Sequence, residues 1–343
     1  MPRLRRSDTR GIGINRRRRG RGFSYTWSTG QRVTDTDVIE RIEALAIPPA
    51  WREVWICPWP NGHIQAIGTD AAGRRQYRYH DDWRKRRDNE KYDRSLAFGR
   101  ALPELRKTIS KDLAGVDLGK RRVVATGVRL LDIGCFRVGS EEYAHDHETY
   151  GVATLLKEHV SLRGDQLVFD YPAKGSIPRT LTINDAETRD VLCSLRRRRG
   201  GSDDLLAWKD GRRWVDIRAN DLNAYIKEEA GAEFSAKDFR TWSATVFAAV
   251  VLGRDVHMAR SKTAHRRVVT GAIKEVAAYM GNTPAVCRSS YVDPRIIDRF
   301  HAGETIASTV HDLERAAASW PDQPDKAEKA VLDLLSEVVS LAA

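Results

Sequence analysis

A tyrosine, two arginines and a lysine are the side chains from which this sequence could build a reactive centre. Tyr291 ends the segment MGNTPAVCRSSY (residues 280–291), and it follows Arg137, Lys174 and Arg240 along the chain. A phenol hydroxyl can attack phosphorus, arginines can hold the non-bridging oxygens of a phosphodiester, and a lysine can protonate the departing sugar oxygen. These side chains therefore predict phosphodiester chemistry that uses cations of the protein and needs no metal or cofactor.

The positive charge of the chain is concentrated in its first residues. The 343 residues carry a net charge of +11, and residues 1–22, with nine arginines and the single acidic residue Asp8, contribute +8 of it. An arginine run with few apolar residues is typical of a disordered arm that binds polyanions. We predict a disordered basic tail over residues 1–22 and a nucleic acid as its partner.

Other protein classes lack support in the sequence. The longest apolar run, residues 244–253, is about half of what a bilayer requires, and arginines stand where a signal peptide would be apolar. The four cysteines lie far apart, without a C-x-x-C pair, and no G-x-x-x-x-G-K-S/T phosphate loop is present. We expect a cytoplasmic protein with reduced, mostly buried thiols, without membrane contact and without a metal site.

The pattern of apolar residues predicts a small β-rich region first. A capped helix is expected over residues 36–46, followed by strands over 54–57, 63–68 and 75–80. The next stretch, residues 82–93, is charged and poor in apolar residues, and we place a domain boundary there.

The remainder of the chain has mainly helical periodicity with one β interruption. Residues 166–171 and 177–183 predict a hairpin that carries Lys174 at its tip, and residues 327–342 predict an amphipathic helix. We therefore predict an α+β multidomain fold, with a small antiparallel β-rich amino-terminal domain and a mainly α catalytic domain interrupted by a short β-hairpin. The predicted divisions are a disordered basic tail (1–22), a β-rich domain (23–88), a mainly helical domain with the reactive residues (89–302) and a helical extension (303–343).

Several short motifs share an informative order and spacing: FRVGSEEY (136–143), KDFRTWSA (237–244), GNTP (281–284) followed by Tyr291, TYGVATL (149–155), GRRQYRYH (73–80) and PPAW (48–51). Together they resemble the type IB DNA topoisomerases of the compact poxvirus-like branch found in bacteria. The resemblance covers roughly residues 23 to 300. It implies an isomerase that relaxes supercoiled DNA through a transient single-strand break and a 3′-phosphotyrosyl link, without ATP or a metal.

The resemblance assigns a role to each matching residue. Tyr291 corresponds to the nucleophile, Arg137 and Arg240 to the arginines that bind the scissile phosphate, and Lys174 to the general acid. Asn282 stands where the family often has histidine. Because an amide cannot release a proton near neutral pH, we expect Asn282 to hydrogen-bond a phosphate oxygen and Lys174 to act as the acid.

The resemblance also assigns contacts with duplex DNA, and it implies a monomer that clamps the double helix. The matching positions are Gln76, Tyr77, Tyr79, Tyr143 and Lys237.

Two alternative functions are compatible with parts of the pattern. A tyrosine recombinase or integrase shares the arginine, lysine and tyrosine chemistry, but it usually has histidine where Lys237 begins the K-x-x-R box, and its amino-terminal domain is helical. A non-catalytic DNA-binding protein would use only the arginine-rich tail.

Overall fold

The chain folds into two compact units, Met1–Lys91 and Tyr92–Ala343. The computed structural model describes residues 3–316 and 324–341. The first unit contains an antiparallel sheet, and the second is mainly helical with small sheets. The predicted α+β fold, with a β-rich amino-terminal part before a mainly helical part, is therefore confirmed.

The first unit is a five-stranded sheet with one helix. Its strands are β1 (Ile14–Arg19), β2 (Gly22–Trp27), β3 (Arg52–Ile56), β4 (Ile64–Thr69) and β5 (Arg75–Tyr79). All pairs are antiparallel, in the order β2-β1-β3-β4-β5. Helix α1 (Thr36–Ala44) begins after Asp35, whose carboxylate accepts the N–H groups of Asp37 and Val38. The predicted helix and three strands are confirmed, with ends that differ by one or two residues.

Strand β1 shows that the prediction of a disordered tail over all of residues 1–22 was wrong. Ile14 is fully buried, and β1 lies between β2 and β3 in the sheet. Arg16 donates to the carbonyls of Ile47 (3.0 Å) and Trp51 (2.9 Å). The main-chain groups of this segment pair with β2 and β3, and Arg16 finds carbonyl acceptors elsewhere in the unit. Local charge composition cannot predict either interaction.

The two faces of this sheet differ in composition. One row of paired positions belongs to the core beside α1 and consists of Ile14, Ile56 and Ala66. The adjacent row faces the other side and consists of Asn15, Trp55, Ile67 and Tyr77. Side chains alternate along a strand, so Arg17 and Arg19 share the second face with Tyr77 and Tyr79. We call these four residues the arginine–tyrosine face.

The second unit contains most of the helices. Its helices are α2 (Asp81–Leu113, which begins in the first unit), α3 (Lys120–Gly134), α4 (Glu141–His147), α5 (Ala186–Arg197), α6 (Ala219–Ala230), α7 (Ala236–Arg254), α8 (Lys262–Met280), α9 (Pro284–Ser290), α10 (Pro294–His301), α11 (Ala307–Arg315) and α12 (Pro324–Leu341). Its strands are β6 (Val160–Arg163), β7 (Gln166–Ala173), β8 (Ile177–Ile183), β9 (Ala207–Asp210) and β10 (Arg213–Asp216). The predicted hairpin is β7–β8, extended by β6, and the sequence analysis missed the hairpin β9–β10.

The charged stretch 82–93, where a domain boundary was predicted, contains the division between the two units and forms the beginning of α2. Arg87 pairs with Glu90 at 3.1 Å and Lys91 with Asp88 at 3.2 Å, one helical turn apart in each case. Such pairs support a helix that few apolar residues predict.

Helix α7 lies at the centre of the second unit, where it packs against α3, α8, α10, α11 and α12. Its Trp242 is 1% exposed. A Cβ atom at Gly99 of α2 would lie 2.6 Å from the Trp242 ring, so glycine is needed for α2 and α7 to approach this closely. This packing holds the first turns of α7, which carry Arg240, against the core.

The predicted amphipathic helix near the end of the chain is confirmed as α12. Glu328 of α12 is buried and pairs with Arg106 of α2 at 2.7 Å, and Arg106 also pairs with Asp132 of α3 at 2.9 Å. An ion pair therefore binds α12 to α2, and the same arginine joins α2 to α3.

The four cysteines are unpaired thiols. Cys57, Cys135 and Cys287 are buried, whereas Cys193 on α5 is half-buried. Burial raises the pKa of Cys287 to about 11. Within residues 3–316 and 324–341, no helix has both the length and the apolar composition to cross a bilayer.

Candidate active site

Arg137 lies just beyond the end of α3. The helix ends at Gly134, and Cys135 adopts a left-handed conformation (φ 48°) that turns the chain. The carbonyl of Arg137 then accepts the N–H of Val152 at 2.9 Å. A Cβ atom at Gly151 would lie 2.5 Å from that carbonyl, so the glycine of the TYGVAT motif permits this contact. The motif thus holds the main chain that carries Arg137.

Arg240 lies in the second turn of α7. The helix begins with a capping box, in which the carboxylate of Asp238 accepts the N–H and the hydroxyl of Ser235, each at 2.9 Å. Arg240 is 3% exposed and donates to the carbonyls of Cys135 and Met280, the latter at 3.1 Å. These carbonyls lie at the ends of α3 and α8, where main-chain acceptors lack helical partners. Arg240 therefore joins two helix ends.

Asn282 follows the end of α8. Gly281 terminates the helix in the left-handed conformation (φ 62°), and the N–H of Asn282 donates to the carbonyl of Ala277 at 2.9 Å. The Oδ1 atom of Asn282 accepts a hydrogen bond from Nη2 of Arg137, while its Nδ2 atom is buried and has no hydrogen-bond partner among the described residues. Asn282 therefore presents an unused donor beside Arg137.

Tyr291 lies at the end of α9. Its N–H donates to the carbonyl of Cys287 at 3.0 Å, and its ring lies 5.2 Å from the guanidinium carbon of Arg240. The hydroxyl of Thr245 on α7 is 3.4 Å from the carbonyl of Tyr291 and accepts the N–H of Asp293 at 3.1 Å. These contacts hold the half-buried Tyr291 beside α7, the helix that carries Arg240.

The arginines change the proton affinity of the phenol. Burial alone would raise the pKa of Tyr291, but the charge of Arg240 and a hydrogen bond from it, with weaker contributions from Arg137, outweigh burial and lower the pKa below its usual value. Burial, followed by the charge of Arg240, lowers the pKa of Arg137. The site thus favours a phenolate and any other anion.

The three arginines at these helix ends and on β8 have no carboxylate partner among the described residues. Arg137, Arg179 and Arg240 donate to main-chain carbonyls and to the amide of Asn282, and none forms an ion pair within the described ranges. In contrast, the half-buried Arg106 pairs with three carboxylates, those of Asp132, Asp325 and Glu328. The charge around Tyr291 therefore lacks an acidic counterpart.

Lys174 lies in the exposed turn between β7 and β8. The turn spans residues 174–176, and Gly175 and Ser176 have φ values of 81° and 56°. The structure therefore brings Arg137, Arg240, Asn282 and Tyr291 together, and it places Lys174 at the hairpin tip, as its sequence position predicted.

Arg179 is a site residue that the sequence analysis missed. It lies on β8, is 9% exposed, and donates to the carbonyls of Gly134 (2.9 Å), Cys135 (3.4 Å) and Met280 (3.3 Å). An arginine five residues after Lys174 was visible in the sequence, but nothing local distinguishes it from a solvated charge.

The residues assigned to DNA contacts lie in several places. Gln76, Tyr77 and Tyr79 are on β5 of the first unit, with the two tyrosine rings stacked at 6.0 Å, and Gln76 donates to Asp70 at 2.9 Å. Lys237 is exposed on α7, one turn before Arg240. Tyr143 is on α4, and its side chain lies outside the described part of the structure.

No group of three or more His, Cys, Asp or Glu side chains arranged for a metal ion occurs in residues 3–316 and 324–341.

Two family models match the chain. The catalytic core of eukaryotic DNA topoisomerase I matches residues 80–316, and the N-terminal domain of bacterial DNA topoisomerase IB matches residues 22–70.

Individual relatives agree with these matches. DNA topoisomerase 1B of Acanthamoeba polyphaga mimivirus is 33% identical over 288 residues, which cover 82% of this chain and 85% of the viral protein. DNA topoisomerase 1B of vaccinia virus (strain Western Reserve) is 21% identical over 68% of this chain and 71% of its own length. DNA topoisomerase 1 of Schizosaccharomyces pombe is 27% identical over 66% of this chain but only 28% of its own length.

Proposed function

Because the chain belongs to the type IB DNA topoisomerase family and is therefore an isomerase that acts on DNA, we propose that it relaxes supercoiled duplexes through a transient 3′-phosphotyrosyl bond to Tyr291. The reaction uses neither ATP nor a metal, since the bond to tyrosine conserves the energy of the broken phosphodiester. The comparisons do not favour the recombinase or the purely DNA-binding alternative.

The observation that carries this proposal is the uncompensated positive charge beside a phenol. The half-buried Arg137 and the buried Arg240 lie beside Tyr291, and neither has a carboxylate partner among the described residues. Removing a guanidinium from water is costly unless another group offsets its charge. A phosphodiester supplies one negative charge with two non-bridging oxygens, which suits guanidinium donors.

The chemical step follows from these positions. The Oη atom of Tyr291 attacks phosphorus, the bond from phosphorus to O5′ breaks, and O5′ takes the bonding electrons and a proton from Lys174. A free phenol with a pKa of about 10 is about one part in a thousand ionised at pH 7. Arg240 and Arg137 lower that pKa and so raise the phenolate fraction. After the strand swivels, O5′ attacks back and releases Tyr291.

Asn282 completes the oxyanion site. Its buried Nδ2 donor, which lacks a partner among the described residues, would donate to a non-bridging oxygen as charge develops there. An amide has no proton to transfer near neutral pH. Protonation of the leaving oxygen therefore belongs to Lys174.

The arginine–tyrosine face is the proposed DNA surface of the first unit. Tyr77 is 43% exposed, and Arg17 and Arg19 are exposed on the same face. Arginine contacts with phosphates carry no sequence information, so contacts of this kind would position the duplex and not read it. Gln76, at the end of the same strand as Tyr77, is proposed to contact the duplex as well.

In the second unit, Lys237 and Tyr143 are proposed to touch the duplex near the scissile phosphate. We further propose that the protein acts as a monomer that clamps DNA, in the cytoplasm at the nucleoid. Residues 23–88 form the proposed clamp domain together with strand β1, which the sheet includes, and residues 89–302 form the proposed catalytic domain.

A plasmid assay tests the function. Supercoiled plasmid is incubated with the protein in EDTA without ATP, beside a Tyr291→Phe variant that keeps the ring and loses the attacking oxygen. We expect relaxation by the unaltered protein alone, and a denaturing gel of a labelled nicked duplex should show a 3′ adduct only with Tyr291 present. A 3′ adduct formed by Tyr291→Phe would refute the assignment of the nucleophile, and mere retardation without relaxation would refute the activity.

A further inference from the structure

We propose that Arg179 is a positioning residue that holds the Lys174 hairpin against the two helix ends from which the phosphate-binding side chains extend. The proposal rests on the proposed role of Lys174 as the general acid. It assigns Arg179 no contact with DNA.

The contacts of Arg179 join three separate segments of the chain. Its guanidinium group, carried by β8, donates to Gly134 and Cys135 at the end of α3 and to Met280 at the end of α8. Two residues after Cys135 comes Arg137, and two residues after Met280 comes Asn282. One side chain thus connects the hairpin of Lys174 with the segments of two other proposed site residues.

Arg179 also shares its acceptors with Arg240. Both guanidinium groups donate to the carbonyls of Cys135 and Met280. Carbonyls at a helix end carry partial negative charge, which offsets the cost of burying two cations that lack carboxylate partners. Arg240 has its own hydrogen bonds to both carbonyls, so replacing Arg179 should release the base of the hairpin while the two helix ends stay joined by Arg240.

Arg179 lies close enough to the hairpin tip to influence the position of Lys174. Arg179 pairs with Tyr171 across the hairpin, and the last pair before the turn is Ala173 with Ile177. Two residues of strand separate Arg179 from that last pair, which is about 7 Å. The strand residues between Arg179 and the turn are paired with β7. The direction of this paired segment therefore sets the position of the turn and of Lys174.

Two substitutions test the proposal. Arg179→Lys retains the charge but has a single ammonium group, which cannot span carbonyls from two helix ends in the way that a planar guanidinium does. Arg179→Gln retains an N–H donor and removes the charge. Since Arg179→Gln leaves buried carbonyls with fewer donors, Arg179→Lys is the primary variant, and a thermal melt checks that each variant is folded at the assay temperature.

The chain provides a matched control in Arg198→Lys. Arg198 is also 9% exposed and also donates to main-chain carbonyls, those of Leu195 (3.0 Å), Leu205 (2.9 Å) and Ser202 (3.2 Å). It contacts none of the proposed site residues. A loss caused by weakened carbonyl binding in general should affect both arginine variants equally.

The measurement is the single-turnover cleavage rate on two duplexes that differ in one atom. In one duplex the scissile phosphate has its ordinary 5′ oxygen, and in the other a sulfur replaces that oxygen and leaves as a thiolate without needing a proton. We expect Arg179→Lys to slow cleavage of the oxygen duplex by about tenfold to a hundredfold, part of the worth of a general acid. On the sulfur duplex its rate should lie within about threefold of the unaltered protein, and Arg198→Lys should cleave both duplexes normally.

Two further variants complete the test: Lys174→Ala alone, and Lys174→Ala combined with Arg179→Lys. We expect Lys174→Ala to show the same rescue by sulfur, and Arg179→Lys to add little to its defect, because both changes remove one proton transfer. Equal losses on both duplexes for Arg179→Lys, or no loss on either, would overturn the proposal while leaving the topoisomerase function intact. Absence of sulfur rescue in Lys174→Ala would instead remove the premise about the general acid.

Discussion

The donor of Asn282 offers the sharpest test of the oxyanion site. Replacing Asn282 by Asp exchanges the buried Nδ2 donor for an oxygen of nearly the same size, whereas Asn282→Ala removes both the donor and the acceptor. The Nδ2 atom has no hydrogen-bond partner among the described residues, so its whole contribution would go to the phosphate. The loss of one oxyanion donor costs about 3 kcal/mol, or about a hundredfold to a thousandfold in rate, and we expect this loss for Asn282→Ala.

Asn282→Asp should be slower still, because its carboxylate lies where Arg137 donates and would neutralise a cation meant for the phosphate. Two like charges about 4 Å apart at an effective dielectric constant of about 20 repel by about 4 kcal/mol. Pairing with Arg137 offsets part of this repulsion, which leaves at least a further tenfold loss.

Single-turnover cleavage of a labelled duplex measures these rates, and Asn282→His, which retains a donor, serves as the control that should stay active. Cleavage by Asn282→Ala at the unaltered rate would assign this side chain to structure alone. Equal rates for the Ala and Asp variants would show that the site does not hold a phosphate beside Arg137.

Three further predictions follow from the same geometry. Lys174→Ala should slow cleavage of an ordinary duplex by about 10²- to 10⁴-fold, and single-turnover rates on the sulfur-substituted duplex should recover most of the loss; an equal defect on both would contradict an acid role. Arg240→Gln removes the main charge that lowers the pKa of Tyr291, so the pH of half-maximal cleavage, measured on the sulfur duplex, should move upward, and an unchanged midpoint would contradict the electrostatic account. Replacing Arg17 and Arg19 together by Gln should reduce the slope of log affinity against log salt by up to about 1.8; parallel slopes in a binding titration would show that these side chains do not touch phosphates.

The arginine-rich composition of residues 1–22 suggests a simpler experiment than substitution of Arg17 and Arg19, which is to remove the whole segment. Removing residues 1–22 would delete β1 from between β2 and β3 and take the buried Ile14 out of the core. A truncated protein would therefore report a damaged sheet as well as lost charge. Point substitutions on the exposed arginines separate the two effects.

Motif order carried most of the information about the site. Arg137, Arg240, Asn282 and Tyr291 are spread over more than 150 residues of sequence, yet the structure brings them together. Arg179 could not be found in the same way, since its partners are main-chain carbonyls at two helix ends, and no residue type in the sequence marks a carbonyl. The roles of these residues are predictions that the cleavage rates test. The domain limits also stay predictions.

The fold was predictable where apolar periodicity was strong and was missed where charge dominated the composition. Strands β3 to β5 and the hairpin β7–β8 alternate clearly, and their limits were close. Strand β1 and the first turns of α2 are rich in arginine, and both are ordered by main-chain hydrogen bonds or by ion pairs such as Arg87 with Glu90. Composition alone cannot distinguish a solvated charge from one that is paired.

The distribution of the thiols makes the unaltered protein suitable for attachment of a single dye. Maleimides react with the thiolate, and a buried thiol is both shielded and hard to ionise, as the raised pKa of Cys287 illustrates. Cys193 on α5 is the half-buried one of the four. A fluorophore should therefore attach at Cys193 first, without any engineered cysteine, and would report binding of the protein to single DNA molecules while Cys135 and Cys287 beside the reactive centre stay unmodified.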